Sequence, residues 1–306
     1  MKLWLAPLHG ITHYYFRNVL FSQVDGIDEV IAPFIPVQPT EKINISKIKE
    51  LLPNNNSLIL PIPQLMGNVP HYFINTIDAL QDKGYQQFNW NLGCPASQIV
   101  RRNRGCGLMQ YPDLVEETVD LVSHHIENAF SLKIRLGMTD IFEGIEIIKR
   151  MNQYPLNFIV IHPRLGIQQY NGQADIEGFK TLAQLSKHKI IYNGDIVDQD
   201  SFQNIASQLP CIDDFMIGRG LLRNPFLAEE IKNVQHPQDQ NERFRAYFQQ
   251  LASLFSATKP DKSALGCLKE LLKYFSIYKN INHIELAKML RIEKLELFIE
   301  AVTAYL

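Results

Sequence analysis

Residues 88–95 read Phe88-Asn89-Trp90-Asn91-Leu92-Gly93-Cys94-Pro95. Apolar Phe88, Trp90 and Leu92 alternate with polar residues, the period of a strand. The strand stops at Gly93, and Pro95 removes a backbone donor directly after the cysteine. Cys94 therefore stands at the carboxyl end of a strand, on a turn of fixed shape. A thiol there can act as nucleophile, metal ligand or acid, or it can be a small buried hydrophobe. Similar strand ends elsewhere in the chain favour chemistry.

Seven further apolar runs share this pattern, each followed by a stretch of helical period: Leu3 to Leu8, Glu29 to Phe34, Leu58 to Met66, Leu132 to Gly137, Phe158 to Arg164, Ile190 to Ile196 and Asp214 to Gly220. The amphipathic stretches are Thr12 to Gln23, Glu41 to Leu52 (the weakest), Tyr72 to Lys83, Pro112 to Asn128, Ile141 to Asn152, Ile176 to Lys187, Asp200 to Gln208 and Asn224 to Asn233. Eight alternating β and α units of near-continuous apolar strands predict parallel strands covered by helices. Eight is also the number that closes a (β/α)8 TIM barrel; an open doubly wound sheet is the rival. The expected barrel spans residues 1–235.

Chemistry in such a barrel sits at the carboxyl ends of the strands. Those ends carry Pro7-Leu8-His9, Gln64, Asn91 with Cys94, Lys133 with Arg135, His162 with Arg164, Asn193-Gly194-Asp195 and Gly218-Arg219. One such residue would be a strand cap, whereas this many on one face make a site. At strands seven and eight the glycines allow close backbone approach and Arg219 adds charge, which suits the phosphate of a cofactor. The plainer alternative there is two tight turns.

After Cys94 come Arg101, Arg102, Asn103, Arg104, Gly105, Cys106 and Gly107, expected to be a mobile basic lip. It reads either as solvated surface or as contact with a phosphate-rich polymer. Cys106 reads as structural or incidental. Beyond the polar linker at 236–241 the chain is all helix-period, an all-α helical bundle domain over 242–306. Lys269, Lys273, Lys279, Lys288, Arg291 and Lys294 scatter over it, between Tyr274, Tyr278 and His283.

The 306 residues are 46% apolar with formal charge −2 and pI near 6.5, so no global basic field is present. The four cysteines have no metal-type spacing. A reduced, cytoplasmic protein is expected, without signal peptide or membrane span.

The ordered motifs resemble the tRNA-dihydrouridine synthase family over essentially the whole chain. Ala6-Pro7-Leu8-His9-Gly10-Ile11-Thr12 with Phe16-Arg17 is similar to its A-P-M-x-G-V-T-D…F-R. Asn91-Leu92-Gly93-Cys94-Pro95 is its N-x-G-C-P, Lys133 to Gly137 resembles K-x-R-x-G, and Asn193 to Ile196 and Met216 to Gly220 match its flavin phosphate motifs. The helical carboxyl-terminal region fits as well.

The resemblance implies reduction of the C5–C6 bond of a tRNA uridine, with FMN as cofactor and NADPH as reductant. It implies that Pro7, Leu8, His9, Gln64, Lys133, His162, Asn193, Gly194, Asp195, Gly218 and Arg219 hold FMN. It assigns Cys94 as the acid that protonates C5 while hydride reaches C6. Asn91 and Arg135 would contact the target nucleotide, and Arg101, Arg102, Arg104, Lys269 and Arg291 the rest of the tRNA. Enolate-like charge on the base could be met by Lys133 or Arg135, and the uridine must leave its stack. Gln64-Leu65-Met66-Gly67 with Pro70 and the compact helical region are most similar to the bacterial subfamily acting at D-loop position sixteen. A monomer without metal is expected.

The chain departs from the pattern at His9, at His13 and Asn89 (each in place of Asp), at Pro163 within His-Pro-Arg, at Gln98 for Lys and at Pro36 for Arg. These put the substrate position and efficiency in question. Two rivals follow from the same residues: an FMN barrel reducing a small pyrimidine or dihydroorotate-like substrate, and a tRNA-binding chaperone that kept the fold. The arginine lip and helical region argue against the first; Lys133 and Gly218-Arg219 argue against the second.

Overall fold

The computed structural model describes residues 1–39, 44 and 48–306. Among the described residues nine parallel strands run in the order β2-β1-β9-β8-β7-β6-β5-β4-β3: β1 Lys2–Leu5, β2 Glu29–Val30, β3 Ile35–Pro36, β4 Gln64–Met66, β5 Phe88–Leu92, β6 Phe130–Gly137, β7 Ile159–Leu165, β8 Ile190–Tyr192 and β9 Asp214–Ile217. β2 and β3 are two halves of one barrel strand, interrupted at Ala32-Pro33-Phe34, where Pro33 offers no N–H. Ile31 bridges Ile62, Ile62 N–H donates to Val30 and Ala32 N–H to Ile62, so the sheet closes on itself. The expected TIM barrel is the observed fold.

The covering helices are α1 Tyr14–Gln23, α2 Pro70–Gln81, α3 Ser97–Val100, α4 Pro112–His125, α5 Ile141–Met151, α6 Ile176–Leu185, α7 Gln199–Gln208, α8 Arg219–Arg223 and α9 Leu227–Lys232. Their starts follow from local chemistry. Pro70 and Pro112 open α2 and α4 at a position that needs no N–H donor. Asp140, Asp175 and Asp198 cap α5, α6 and α7 by accepting from Phe142, Gly178 and Ser201 N–H. Half of the expected helix over Glu41 to Leu52 lies outside the described residues, and a 3-10 turn spans Lys49–Leu51. The run from Leu58 contributes a strand only at Gln64–Met66. Pro61 and Pro63 interrupt donation along it, and Leu58 and Leu60 are exposed.

The barrel interior is divided. Trp4, Ala6, Ile31, Ile62, Phe158, Val160, Ile191 and Met216 form an apolar cluster, separate from the larger core between strands and helices. On the side of β4, β5 and β6 the buried residues include Gln64, Asn89, Asn91 and Ser131, which are polar. Four helices follow: α10 Gln240–Thr258, α11 Asp261–Tyr278, α12 His283–Arg291 and α13 Leu295–Tyr305. α10 packs on α1 and α11 on α8, and Phe244, Tyr247, Leu268 and Phe275 belong to the same continuous core as the barrel helices. Arg243 fastens this junction by a two-pronged ion pair to buried Glu229, at 2.7 and 2.8 Å. Among the described residues no helix is long and apolar enough to cross a membrane.

Candidate active site

A cleft of about 680 Å³ opens at the carboxyl ends of the strands. It brings together Pro7, Leu8 and His9 after β1, Asn91 and Cys94 at β5, Lys133 and Arg135 on β6, and His162 on β7. Asn193, Gly194 and Asp195 after β8 and Gly218 and Arg219 after β9 complete it. Gln64, Arg101, Arg102, Arg104, Lys269 and Arg291 do not line it. Gln64 is fully buried on β4, bonded to Asn89 and Asn91.

The turn that presents Cys94 is held from three sides. Asn91 Oδ1 accepts the N–H of Gly93 at 3.1 Å and of Cys94 at 2.9 Å. Arg135, itself buried, donates from Nε to the Gly93 carbonyl at 2.9 Å and from Nη1 to the Leu165 carbonyl at 2.8 Å. Cys106 N–H donates to the Cys94 carbonyl at 3.1 Å. That approach needs Gly105, whose φ is +56° and where a Cβ would lie 2.5 Å from the Cys94 carbonyl oxygen. Burial pushes the Cys94 thiol up, opposed by a backbone hydrogen bond from Ala96 and by Arg135 and Lys133. The group is thus a protonated thiol at neutral pH, suited to giving a proton. Cys106 is fully buried and pushed up to about 12 by that burial, in keeping with a structural reading.

Lys133 makes no ion pair among the described residues. Burial, reinforced by Arg135, lowers its pKa to about 7. Burial and the charges of Lys133, Arg135, Arg164 and Arg219 hold His162 well below the usual imidazole range, so it is neutral. Asp195 is the acidic residue among the cleft lining, and it is already engaged. Its Oδ2 accepts from Arg164 Nη2 at 2.6 Å and from Ala174 N–H at 2.9 Å, while Oδ1 lies 3.4 Å from Arg219 Nη2. Its carboxylate therefore organises the corner, because a carboxylate presented to a phosphate would repel it. Asn193 is fixed by donating to the Met216 carbonyl at 2.7 Å.

Four contributors lay beyond the sequence reading. Phe34 stacks on His9, ring centroids 4.7 Å apart. Tyr170 lies with its ring 5.3 Å from the guanidinium carbon of both Arg135 and Arg219. Arg164, seen in the sequence only as a strand end, holds the Asn171 and Gly172 carbonyls as well as Asp195. Tyr274 reaches the cleft from α11. Residues 166–174 have no periodicity that would have marked Tyr170, and Tyr274 stood out only as an aromatic among lysines.

The arginine stretch is a hydrogen-bonded turn rather than a free lip. Arg101 N–H bonds Ser97, and Arg102 and Arg104 N–H bond Ile99. Asn68 donates to the Arg102 carbonyl at 3.1 Å and accepts from Arg104 Nε at 3.2 Å. Gly105 to Met109 then turn into the core as a 3-10 helix. Arg101 and Arg102 stay exposed and Arg104 half-buried, and on the helical region Lys269 is half-buried and Arg291 exposed. Asp25, Glu229 and His236 approach one another closely enough to suggest a metal site. Arg243 occupies both Glu229 oxygens, however, so this is an ion-pair junction.

The cleft fits a flavin mononucleotide. It is cationic, and among the described residues its one carboxylate is neutralised by arginines and Lys133 has no counter-charge. At Gly218 a Cβ would stand 3.5 Å from Ala6 and 3.8 Å from Leu8, filling cleft wall that glycine leaves open.

Comparison with known proteins agrees. The profile of the family "Dihydrouridine synthase (Dus)" matches residues 4–296. The tRNA-dihydrouridine synthase B of Pasteurella multocida is 30% identical over 236 residues, covering 76% of this chain and 69% of that protein. The synthase B of Proteus vulgaris is 28% identical over 231 residues, covering 74% and 70%. Among solved structures, the old yellow enzyme from Trypanosoma cruzi superposes with a TM-score of 0.56 at 11% identity over 83% of this chain and 93% of that one. Morphinone reductase does so at 0.54 and 12% identity over 78% and 87%. At such identities these last two speak for the barrel alone. The family match spans nearly the whole chain and contains every strand end that builds the cleft, so this protein belongs to the dihydrouridine synthase family and is a flavin-dependent oxidoreductase.

Proposed function

We propose that this protein reduces the C5–C6 bond of a D-loop uridine in tRNA, in the cytoplasm, with FMN as its flavin and NADPH as reductant. The observation that carries the reading is Cys94: a protonated thiol on a rigid turn, in one cleft with Lys133 and Arg135. FMN held in this cleft, with NADPH as its reductant, would supply hydride chemistry at C6 of the base. Cys94 gives its proton to C5, so one C–H bond forms at each carbon as the double bond is lost. Lys133 and Arg135 stabilise negative charge on the uracil carbonyls as it develops. Lys133, His162, Asn193, Gly194, Gly218 and Arg219 hold the flavin, and Asn91 and Tyr170 border the space left for an extruded base. Arg101, Arg102 and Arg104, with Lys269 and Arg291 on the helical region 242–306, bind the polymer's phosphates.

The position within the D-loop is sixteen on the resemblance given above. The test is anaerobic mixing of NADPH-reduced holoenzyme with unmodified tRNA, followed by mapping of the product. Rapid flavin oxidation with dihydrouridine at D-loop position sixteen is expected. Dihydrouridine at another D-loop position would correct the site alone. Equal oxidation by free uridine or a dihydroorotate-like acid would replace the tRNA reading with a small-molecule reductase.

A further inference from the structure

Beneath the cleft floor the polar side of the barrel interior forms a single chain of hydrogen bonds. Ser131 Oγ donates to the Phe88 carbonyl at 3.0 Å, and Asn89 Nδ2 donates to Ser131 Oγ at 2.9 Å. Gln64 Nε2 donates to Asn89 Oδ1 at 2.7 Å, and Asn91 Nδ2 to Gln64 Oε1 at 2.8 Å. Asn91 Oδ1 then accepts the backbone N–H of Gly93 and Cys94. Gln64 and Asn89 are fully buried, and Ser131 and Asn91 nearly so.

The direction of this chain is forced. Backbone N–H groups only donate, so the Asn91 oxygen must face Gly93 and Cys94 and its nitrogen must face Gln64. That fixes the Gln64 amide, which fixes Asn89, which leaves Ser131 to send its proton to Phe88. No member can be flipped without setting two donors or two acceptors against each other, and a buried unpaired polar group is costly. No member ionises in the working range, so the arrangement holds its geometry across pH.

We infer that Ser131, Asn89 and Gln64 are positioning residues for the protonation step: a one-way amide relay that sets the orientation of the Cys94 turn from below the cleft. None of the three lines the cleft; they act through Asn91 on the turn that carries the thiol. The inference rests on Cys94 being the proton donor. Misplacing a reacting group by about 1 Å can cost on the order of 10²-fold in rate, so a broken link is visible in turnover.

The test compares Asn89→Leu and Ser131→Ala with wild type as holoenzymes, with Cys94→Ala alongside. The first keeps the volume but removes both the acceptor for Gln64 Nε2 and the donor to Ser131; the second removes the final link. Two quantities are read: single-turnover oxidation of reduced flavin by unmodified tRNA, and the rate at which iodoacetamide alkylates Cys94. Both variants are expected to keep flavin and to lose roughly tenfold or more in oxidation rate, with a shift in alkylation rate. Wild-type oxidation and alkylation in both variants would overturn the relay while Cys94→Ala remained inactive. An active Cys94→Ala would instead remove the proton-donor reading. Should Asn89→Leu fail to fold, Ser131→Ala carries the comparison.

Discussion

Arg164 donates to the Asp195 carboxylate at 2.6 Å, and the same carboxylate lies 3.4 Å from Arg219. One side chain thus joins the segment after β7, which carries Tyr170, to the corner after β9. Asp195 adopts this place with a positive φ of 42°, a conformation that Asn and Asp tolerate better than other residues.

Asp195→Asn should keep that backbone conformation and remove the charge. Arg164 is nearly fully buried, so its guanidinium would lose its ion-pair partner. The cost should be about 2 kcal/mol, below the usual figure for a fully buried pair because solvent reaches Asp195. Thermal melts measure this. Flavin affinity should fall as well, and an unchanged melt with unchanged affinity would reduce the pair to a surface contact.

Replacing Arg101, Arg102 and Arg104 together with Ala should lower tRNA affinity and flatten its salt dependence by roughly two to three units in the log–log slope, one for each phosphate neutralised. Reduction of the flavin by NADPH, which needs no RNA, should be unchanged. An unaltered slope would assign these arginines to solvated surface. Arg104 has a second role through Asn68, so the exposed pair Arg101 and Arg102 provides the cleaner double variant.

The parts legible in the sequence were those set by short-range rules. Strand ends could be read because Gly93, Pro95, Gly194 and Gly218 end apolar runs sharply, and a barrel forces such ends onto one face. The helices from Pro112 and Ile141 were visible from their period, and the structure shows them opened by the proline and by the Asp140 cap. The structure was less legible where partners are distant. The partners of Asp195 could not be read, because Arg164 stands 31 residues away. Gln64 looked like a cleft residue until Asn89 and Asn91 enclosed it. The Gly-Cys-Gly segment looked mobile because glycine gives no sign of whether its freedom serves flexibility or, as at Gly105, close packing.

Lys133 supplies a prediction with a definite sign. Its pKa in the folded protein, about 7, lies below the ordinary value of 10.5. Between those values the unfolded chain holds a proton that the native protein has released, so Lys133 makes stability rise with pH across pH 7 to 10. Below pH 7 both states are protonated and the penalty for burying the charge is fully present. Apoprotein carrying Lys133→Met should be the more stable protein at pH 6, with the gap shrinking towards pH 10, by paired denaturation curves. Flavin binding at pH 8 should take up protons as the anionic ligand recharges the ammonium, detectable by calorimetry in two buffers of different ionisation enthalpy. No proton uptake, or a gap that widens with pH, would be incompatible with a neutral Lys133 in the free cleft.

Cys94 and Cys106 allow the chemistry itself to be tested, because they lie close together in different environments. Cys94 is half-buried and lines the cleft; Cys106 is fully buried, with its Sγ 3.4 Å from Met138 Sδ. Cys94→Ala should retain flavin and its reduction by NADPH, since neither needs a proton donor for C5. Its single-turnover oxidation by unmodified tRNA should fall by ~10²–10⁴-fold, the usual contribution of general acid catalysis. Cys94→Ser should also be slow, because a hydroxyl is a far weaker acid than a thiol even after burial has pushed the thiol up. Cys106→Ala removes a core sulfur and should lower thermal stability modestly while leaving the oxidation rate near wild type. The two cysteines thus predict opposite outcomes, rate loss without melting change at one and melting change without rate loss at the other. Normal turnover in Cys94→Ala together with failure in Cys106→Ala would transfer the acid's role to the buried thiol and undo the assignment.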